Sequence, residues 1–453
     1  MVPQPSPGSV GAGLPDPPSA PAPPGEPGGT RTALEFAALG TGLTLAASLL
    51  GRLPGWLHHL GAFQSLYLVA FAFYALALAG LPRYAALPRA GLAVFVVALA
   101  TRVALFPAPP ALSDDIYRYV WEGRVVVHGG NPYRQSPLDP ALAPLRDPRI
   151  FPFVNHPELA TIYPPLAEAG FALVAAVSPT LPAFKGWILL HDLALVALVG
   201  LLLARRGRSP AFAAVYAWNP LVLVEYAGSG HNDPTAMVWL LLALLVLESR
   251  PALSAAALTA AALVKLAPLI ALPFLWRRWP WRARLLALAG LGLGLGWFLA
   301  ETRGVSSGLL AYWRTWRNNE LLFGGFERAT GTLTGARALA AAVIGATLAA
   351  AWAQSWPPER AVRAGFKAGL LAGPVAHPWY QGWYLMFEPL APSAPWLLLS
   401  ATAILSYGVF ASPAEGRNFH LPLAWRGVEY GAPALLAAGL ALARRGPGRR
   451  RGA

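Results

Sequence analysis

Runs of about twenty mostly apolar residues recur along almost the whole chain, divided by short links rich in Arg, Pro and Gly. A helix rises about 1.5 Å per residue and a bilayer core is about 30 Å thick, so runs of this length predict membrane-crossing helices. The first three fall at about 33–51, 61–81 and 89–106. Another covers about 186–204, one ends near Tyr226, and one runs from about 235 to Glu248. Further helices are expected at about 284–300, 333–353, 361–376, 379–391, 395–410 and 429–444. Pro164–Pro182 is apolar as well, but proline bounds it at both ends, which predicts a helix lying in the interface. The stretch from Arg250 to Arg277 is too short for two full crossings. A re-entrant hairpin broken at Lys265 fits it, since irregular backbone at membrane depth is tolerated only where it lines a cavity. The pattern predicts an all-α, polytopic membrane protein of about 11 to 13 transmembrane or re-entrant helices.

Charge sets the expected sidedness. Basic clusters such as Arg205-Arg206-Gly207-Arg208, Arg277-Arg278 and Arg444 to Arg451 belong on the cytoplasmic side. Crossing parity then makes residues 107–185 one large external loop with interfacial helices, inside a single transmembrane unit over 33–444. Residues 1–32 are dense in Pro and Gly and predict a disordered cytoplasmic tail; 445–453 form a basic cytoplasmic tail. No basic stretch leads into an early apolar run, so the N-terminus does not read as a signal peptide. Composition agrees: 56% of residues are hydrophobic and 12% charged, against roughly a quarter charged in soluble domains. The net charge of +14 lies in short clusters between apolar runs, which argues against nucleic-acid binding. With no cysteine, disulfides and thiolate metal sites are excluded.

Parity also gathers the polar segments on the outer face: Ser113–Tyr133, Glu225–Pro234, Lys265, Glu301–Arg328 and His377–Tyr384. Ionisable groups at membrane depth are costly and mark functional sites. Asp114 and Asp115 head a helix with Ile116, Tyr119, Val120, Val126 and Val127 on one face and Arg118, Glu122 and Arg124 elsewhere. They read either as a helix cap or as a general base beside a partner carboxylate. Glu225 to Pro234 is either a plain loop or a polar site; His231 and Asp233 with the Asp pair suit a divalent cation in ligand type, but no spacing is diagnostic, and no metal is expected. Lys265 either snorkels to the interface or holds an anionic phosphate. His377-Pro378-Trp379-Tyr380 reads as an aromatic belt or a sugar-binding wall.

Taken in order, SDDIYRYVWEGRVVVHGGNPY, TIYPPLAE, SGHNDP, LVKLAPLIALPFLW and HPWYQGWYL resemble the motifs of the polyprenol-phosphate-sugar-dependent glycosyltransferases of the GT-C superfamily, most closely the prokaryotic polyprenol-phosphate-mannose mannosyltransferases. The resemblance spans about 33–444. It implies a multi-pass enzyme of the plasma membrane with its active site on the extracytoplasmic side, a sugar donor carried on a polyprenyl phosphate, a glycan or glycolipid acceptor, and no cofactor. It assigns Asp115 as base with Asp114 beside it, and Lys265, Arg118 and His231 near the donor phosphate. Tyr117, Arg124, Tyr163, Glu225, Asn232, Asp233, His377, Trp379 and Tyr380 are the expected substrate-binding residues. The family often has one span before the acidic loop where three are read here, which leaves the parity unchanged. A transporter or flippase of lipid-linked sugars is the rival from another class; it would place charge at the midplane and repeat itself between halves, and no repeat is visible. An oligosaccharide polymerase or ligase using a diphosphate donor shares the chemistry.

The cysteine-free chain allows a direct test of sidedness. Single cysteines introduced at 114 and 206 should be labelled from opposite sides of the membrane by an impermeant thiol reagent. Labelling of both from one side would refute the parity.

Overall fold

The computed structural model describes residues 27–303, 307–411 and 423–445. Residues 1–26 of the Pro-rich tail and the residues after Arg445 lie outside it. The first helix, α1, spans Pro27–Arg52 and so begins within the stretch read as tail. It is followed by α2 (Leu60–Tyr84), α3 (Ala90–Leu105), α4 (Asp115–Val127), α5 (Pro165–Val177), α6 (Leu181–Arg205), α7 (Asp233–Leu245), α8 (Pro251–Val264), α9 (Leu272–Trp276) and α10 (Trp281–Glu301). Then come α11 (Gly308–Thr315), α12 (Phe323–Thr330), α13 (Leu333–Ala353), α14 (Pro358–Ala372), α15 (Ala394–Thr402) and α16 (Leu423–Arg445). Among the described residues the only β contact is an isolated bridge between Asn318 and Val375.

Among the described residues five helices are long and apolar enough to cross a membrane: Gly29–Arg52, Leu60–Tyr84, Leu181–Arg205, Trp281–Glu301 and Leu333–Ala353. Six shorter apolar helices accompany them, including α3, α5, α7 and α8. The protein is a polytopic all-α membrane protein. Some expected helices take another form. The span expected to end near Tyr226 is a chain of short turns, Pro210–Ala213, Ala214–Ala217, Pro220–Val222 and the π-helical turn Leu223–Gly228. The helix expected at 395–410 passes from α-helix to 3-10 helix after Thr402. The run 379–391 is a chain of short turns, Pro378–Gln381, Gly382–Leu385 and Glu388–Leu390, with Pro389 lacking the amide that would continue a helix. α7 and α8 are 13 and 14 residues long, too short to span a bilayer at 1.5 Å per residue, and they pair antiparallel. The chain breaks at Lys265, whose backbone is extended, and returns through 267–276.

Sequence periodicity explains the packing of α2. Phe63, Tyr67, Ala70, Tyr74 and Ala77 repeat at intervals of three and four, and all are buried. Two of them anchor distant elements: Tyr67 Oη donates to the Ser400 carbonyl at 2.5 Å and Tyr74 Oη to the Val215 carbonyl at 2.7 Å. Between α3 and α6 the interior holds an ion pair, with Arg102 Nε 2.7 Å from Asp192 Oδ2 and both side chains fully buried. Arg102 Nη1 also donates to the Ala98 and Ala217 carbonyls, and Tyr216 Oη donates to Asp192 Oδ1.

Loop contacts sort the bundle into two ends. Arg205 reaches the Leu245 carbonyl, Arg206 pairs with Glu359, Arg208 Nη1 donates to the Pro389 carbonyl at 3.0 Å, and Arg278 pairs with Glu248 at 2.7 Å. The basic links therefore share one end. At the start of α6, Lys185 Nζ donates to the Phe106 and Ala108 carbonyls at 2.7 and 2.6 Å, which ties the close of α3 to the opposite end. That end carries the polar segments.

A fully buried ion pair is most damaging when half of it is removed, because the remaining charge has no solvent. Asp192→Ala is expected to destabilise the fold by about 3–5 kcal/mol, while Arg102→Met combined with Asp192→Leu recovers most of the loss. Thermal unfolding in detergent measures both; equal melting temperatures for Asp192→Ala and the parent would show that the pair carries no stability.

Candidate active site

The cavity at the polar end is built from breaks in the helices. α4 opens with Asp115 in its first turn, where the helix dipole favours a carboxylate, and the Asp115 amide donates to Ser113 Oγ at 3.2 Å. Asn155, from the long loop between α4 and α5, donates through Nδ2 to Asp114 Oδ1 at 2.8 Å and to Asp115 Oδ1 at 2.9 Å. One amide thus holds both carboxylates. Asp114 is exposed and Asp115 is half-buried.

The loop carrying Asn155 is fixed by Arg118. Its Nε donates to Glu122 Oε1 at 2.8 Å, Nη1 to the Asn155 and His156 carbonyls at 2.9 Å, and Nη2 to the Leu159 carbonyl at 2.6 Å. The sequence pattern places Arg118 and Glu122 off the apolar face of α4, yet both are buried, while Val127 is exposed. The loop covers the polar side of the helix, so that side faces protein.

The second group of residues comes from the hairpin. Lys265 Nζ lies 2.7 Å from Asp233 Oδ1, which also accepts from Trp383 Nε1 at 2.6 Å. The ammonium stands 4.8 Å from the Tyr380 ring centre and 5.1 Å from that of Trp383, a cation held against two aromatic faces. Asp233 is buried, whereas the Lys265 side chain keeps 29% of its surface exposed.

Aromatic rings close the cavity. His377 stacks on Trp379 at 4.1 Å, and Tyr380 stacks on Trp383 at 4.2 Å with its hydroxyl 3.0 Å from that of Tyr312. The backbone here has to be glycine at 382: a Cβ there would sit 1.8 Å from Tyr226 Oη, which donates to the Trp379 carbonyl at 3.2 Å. The result is a cavity of about 910 Å³, lined on its polar side by Asp114, Asp115, Asn155, Asn232, Asp233 and Lys265 and on its aromatic side by Tyr312, His377, Trp379, Tyr380 and Trp383. Tyr117, Arg118 and Tyr163 also contribute to the wall.

Electrostatics follow from burial. Burial pushes the Asp115 carboxyl above the usual carboxylate range; the charges of His231 and Lys265 and the Asn155 hydrogen bond offset this in part, and Asp114 adds to it. Burial, with the neighbouring charges of His231 and Lys265, holds the His377 imidazole down to about 3, so it is neutral at physiological pH. Among the described residues no cluster of three or more His, Cys, Asp or Glu is arranged to hold a metal ion.

Three residues expected to touch substrate stand elsewhere. Arg124 pairs with Asp147 and donates to the Pro179 carbonyl, away from the cavity, because it leaves α4 on the side of the loop. Glu225 and His231 are buried behind the Trp379 wall and do not line the cavity. Arg118 reaches the wall, but its donors are occupied by Glu122 and three carbonyls. Asn155, Tyr312, Trp383 and Tyr407 are cavity residues that the sequence pattern did not single out. Tyr312 falls within the polar segment Glu301–Arg328 and Trp383 within the aromatic motif, whereas Asn155 and Tyr407 carry no local signal.

Residues 29–281, more than half of the chain, match the model of a family described as alpha-(1->6)-mannopyranosyltransferase, N-terminal domain. With its membrane helices and this match, the protein is a membrane glycosyltransferase acting on a lipid-linked sugar. The chain belongs to the alpha-(1->6)-mannopyranosyltransferase family. No curated protein and no solved structure matches it. The matched region contains the Asp pair, Asn155, Asp233 and Lys265, while the aromatic wall from His377 to Trp383 lies beyond it.

Arg118→Met should free the carbonyls of 155, 156 and 159 and leave Glu122 buried without its partner. A lower melting temperature and faster proteolysis within 155–159 are expected. An unchanged cleavage pattern would show that Arg118 is not what fixes the loop.

Proposed function

We propose that the enzyme transfers mannose from a polyprenyl-phosphate donor to a hydroxyl of a glycan or glycolipid acceptor, with inversion, on the extracytoplasmic side of the plasma membrane. The observation that carries this reading is the convergence of the Asp114–Asp115 pair and Lys265 on one cavity at the polar end of the bundle. That end is opposite the basic links, which the positive-inside rule places in the cytoplasm.

The chemistry asks little of the protein beyond placement and charge. The acceptor oxygen attacks the anomeric carbon, the bond from that carbon to the phosphate oxygen breaks, and the lipid phosphate leaves as an anion that needs no proton. The acceptor proton passes to Asp115. Of the two carboxylates Asp115 is the better base, because its burial makes the ionised form more basic, while Asn155 fixes its orientation. Asp114, exposed beside it, faces the acceptor. Lys265 meets the departing phosphate; the Asp233 carboxylate and two aromatic faces hold the ammonium in place before the charge develops. Tyr380, half-buried in the aromatic wall, offers a ring for a sugar to lie against, while Trp379 is stacked between His231 and His377.

Asp115→Asn should lower turnover by at least roughly 10²-fold, as expected for loss of a general base, and leave donor binding intact. Lys265→Ala should weaken donor binding together with turnover. Both are read by following consumption of a polyprenyl-phosphate sugar by purified protein in detergent. Full activity in a variant with both aspartates changed to Asn would remove the carboxylate base, and transfer from diphosphate-linked donors alone would refute the donor class.

A further inference from the structure

Among the buried ionic groups next to the cavity is one cluster built around a turn between helices. The π-helical turn Leu223–Gly228 carries Glu225, and the following turn carries His231. His231 Nδ1 lies 3.1 Å from the Glu225 carbonyl and 3.2 Å from its Oε2, and both side chains are 1% exposed. The other carboxylate oxygen, Glu225 Oε1, accepts from Tyr407 Oη at 2.7 Å, while Oε2 is buried with no hydrogen bond and only the imidazole at ion-pair distance. The imidazole stacks on Trp379 with ring centres 3.8 Å apart, and Trp379 stacks in turn on His377. His231 Nε2 is buried and has no hydrogen-bond partner.

This cluster sits under the first turn of α4. A Cβ on Gly230 would fall 2.6 Å from Ile116 Cδ1, so the residue before His231 packs on the residue after Asp115. The glycine is needed there for a second reason, its φ of +81°. The imidazole cannot reach a substrate through the indole of Trp379. Its place beside α4 follows from the Gly230–Ile116 contact, and with Lys265 it supplies the positive charge that favours the ionised Asp115; the Lys265 ammonium is already shared with Asp233.

We infer that the Glu225–His231 pair is a positioning element for the base: a buried imidazolium, held charged by Glu225 behind the aromatic wall, that keeps Asp115 ionised in a site that withdraws it from water. The inference rests on the reading of Asp115 as the base. Its physical logic is that a half-buried carboxylate beside a second carboxylate takes up a proton unless a positive charge is fixed nearby. Burial by itself would discharge His231, but the hydrogen bond and charge of Glu225, with Asp115 and Asp233, outweigh it and raise the imidazole above its ordinary value. The groups facing the pair are Asp115, Asp233, Lys265 and the neutral His377, with the phenols of Tyr67, Tyr226 and Tyr407 around Glu225, while those of Tyr119, Tyr163, Tyr312 and Tyr380 face Asp115.

The test is the pH profile of kcat/KM with a polyprenyl-phosphate sugar, for the parent and for His231→Gln, Glu225→Gln and the double variant. The rate needs ionised Asp115, so it falls on the acid side. Removing the imidazolium raises the Asp115 pKa and should move that limb to higher pH by roughly one unit, the low end of the effect of a nearby opposite charge. Glu225→Gln should move it the same way, because His231 then loses its proton. The double variant should shift no further than His231→Gln, and donor KM should stay at the parent value in all three. A uniform loss of rate with the acid limb unmoved would assign the pair a merely structural role and overturn the inference. An increase in donor KM without movement of the limb would overturn it in favour of a phosphate contact. If His231→Gln does not fold, Tyr407→Phe loosens Glu225 without emptying the interior; a smaller shift in the same direction is expected, and an unmoved limb refutes the inference. Asp115→Asn separates the two claims: if it is active, the base assignment is wrong, and if it is inactive while the limb stays fixed in the other variants, only the pair has been misread.

Discussion

The Lys265–Asp233 ion pair joins the two breaks from which the cavity is made. Asp233 begins one short helix and Lys265 ends its antiparallel neighbour, so a 2.7 Å contact closes the hairpin at the polar end. Neither helix crosses a bilayer alone, and the free backbone ends at Asp233 and Lys265 are tolerable only because they open into a protein-lined space. The pair also recruits the other half of the chain, since Trp383 donates to the same carboxylate oxygen and Tyr380 packs over the ammonium. Without the pair, the two short helices and the aromatic wall would have no common reference point.

Burial does different work in different parts of the site. Arg118 is spent on loop carbonyls, and its value is to hold Asn155, which in turn holds the two carboxylates. Lys265 remains partly open and keeps donors unspent beyond its bond to Asp233. Side chains of one chemical type thus divide between architecture and chemistry according to how many of their donors are left over.

The long apolar runs were legible because their length alone identifies them, and Lys265 was legible because an isolated cation in an apolar stretch demands an explanation. The Asp pair stood out for the same reason, at the head of a helix following a loop. What local pattern could not supply is which distant partner satisfies each group. Arg118 and Arg124 lie six residues apart on one helix, but one is held by a loop about forty residues away and the other by Asp147. Glu225 meets Tyr407 across 182 residues. The ion pair of Arg102 and Asp192 carried a visible signal, ionisable residues inside apolar runs, that the reading of spans passed over. The run at 379–391 has the composition of a span, and it is broken into short turns with Pro389 in the last of them.

The cavity is assembled from both halves of the chain, and synthesis delivers those halves in sequence. When the ribosome has inserted residue 281, the membrane already contains the Asp pair, Asn155 and the Lys265–Asp233 hairpin, but none of the rings from His377 to Trp383. At that moment Asp233 lacks its Trp383 donor and Lys265 faces lipid or water where Tyr380 will later lie. The charged half of the cavity therefore precedes its aromatic half in the order of synthesis, and the arrival of 377–383 gives the waiting ion pair its ring partners.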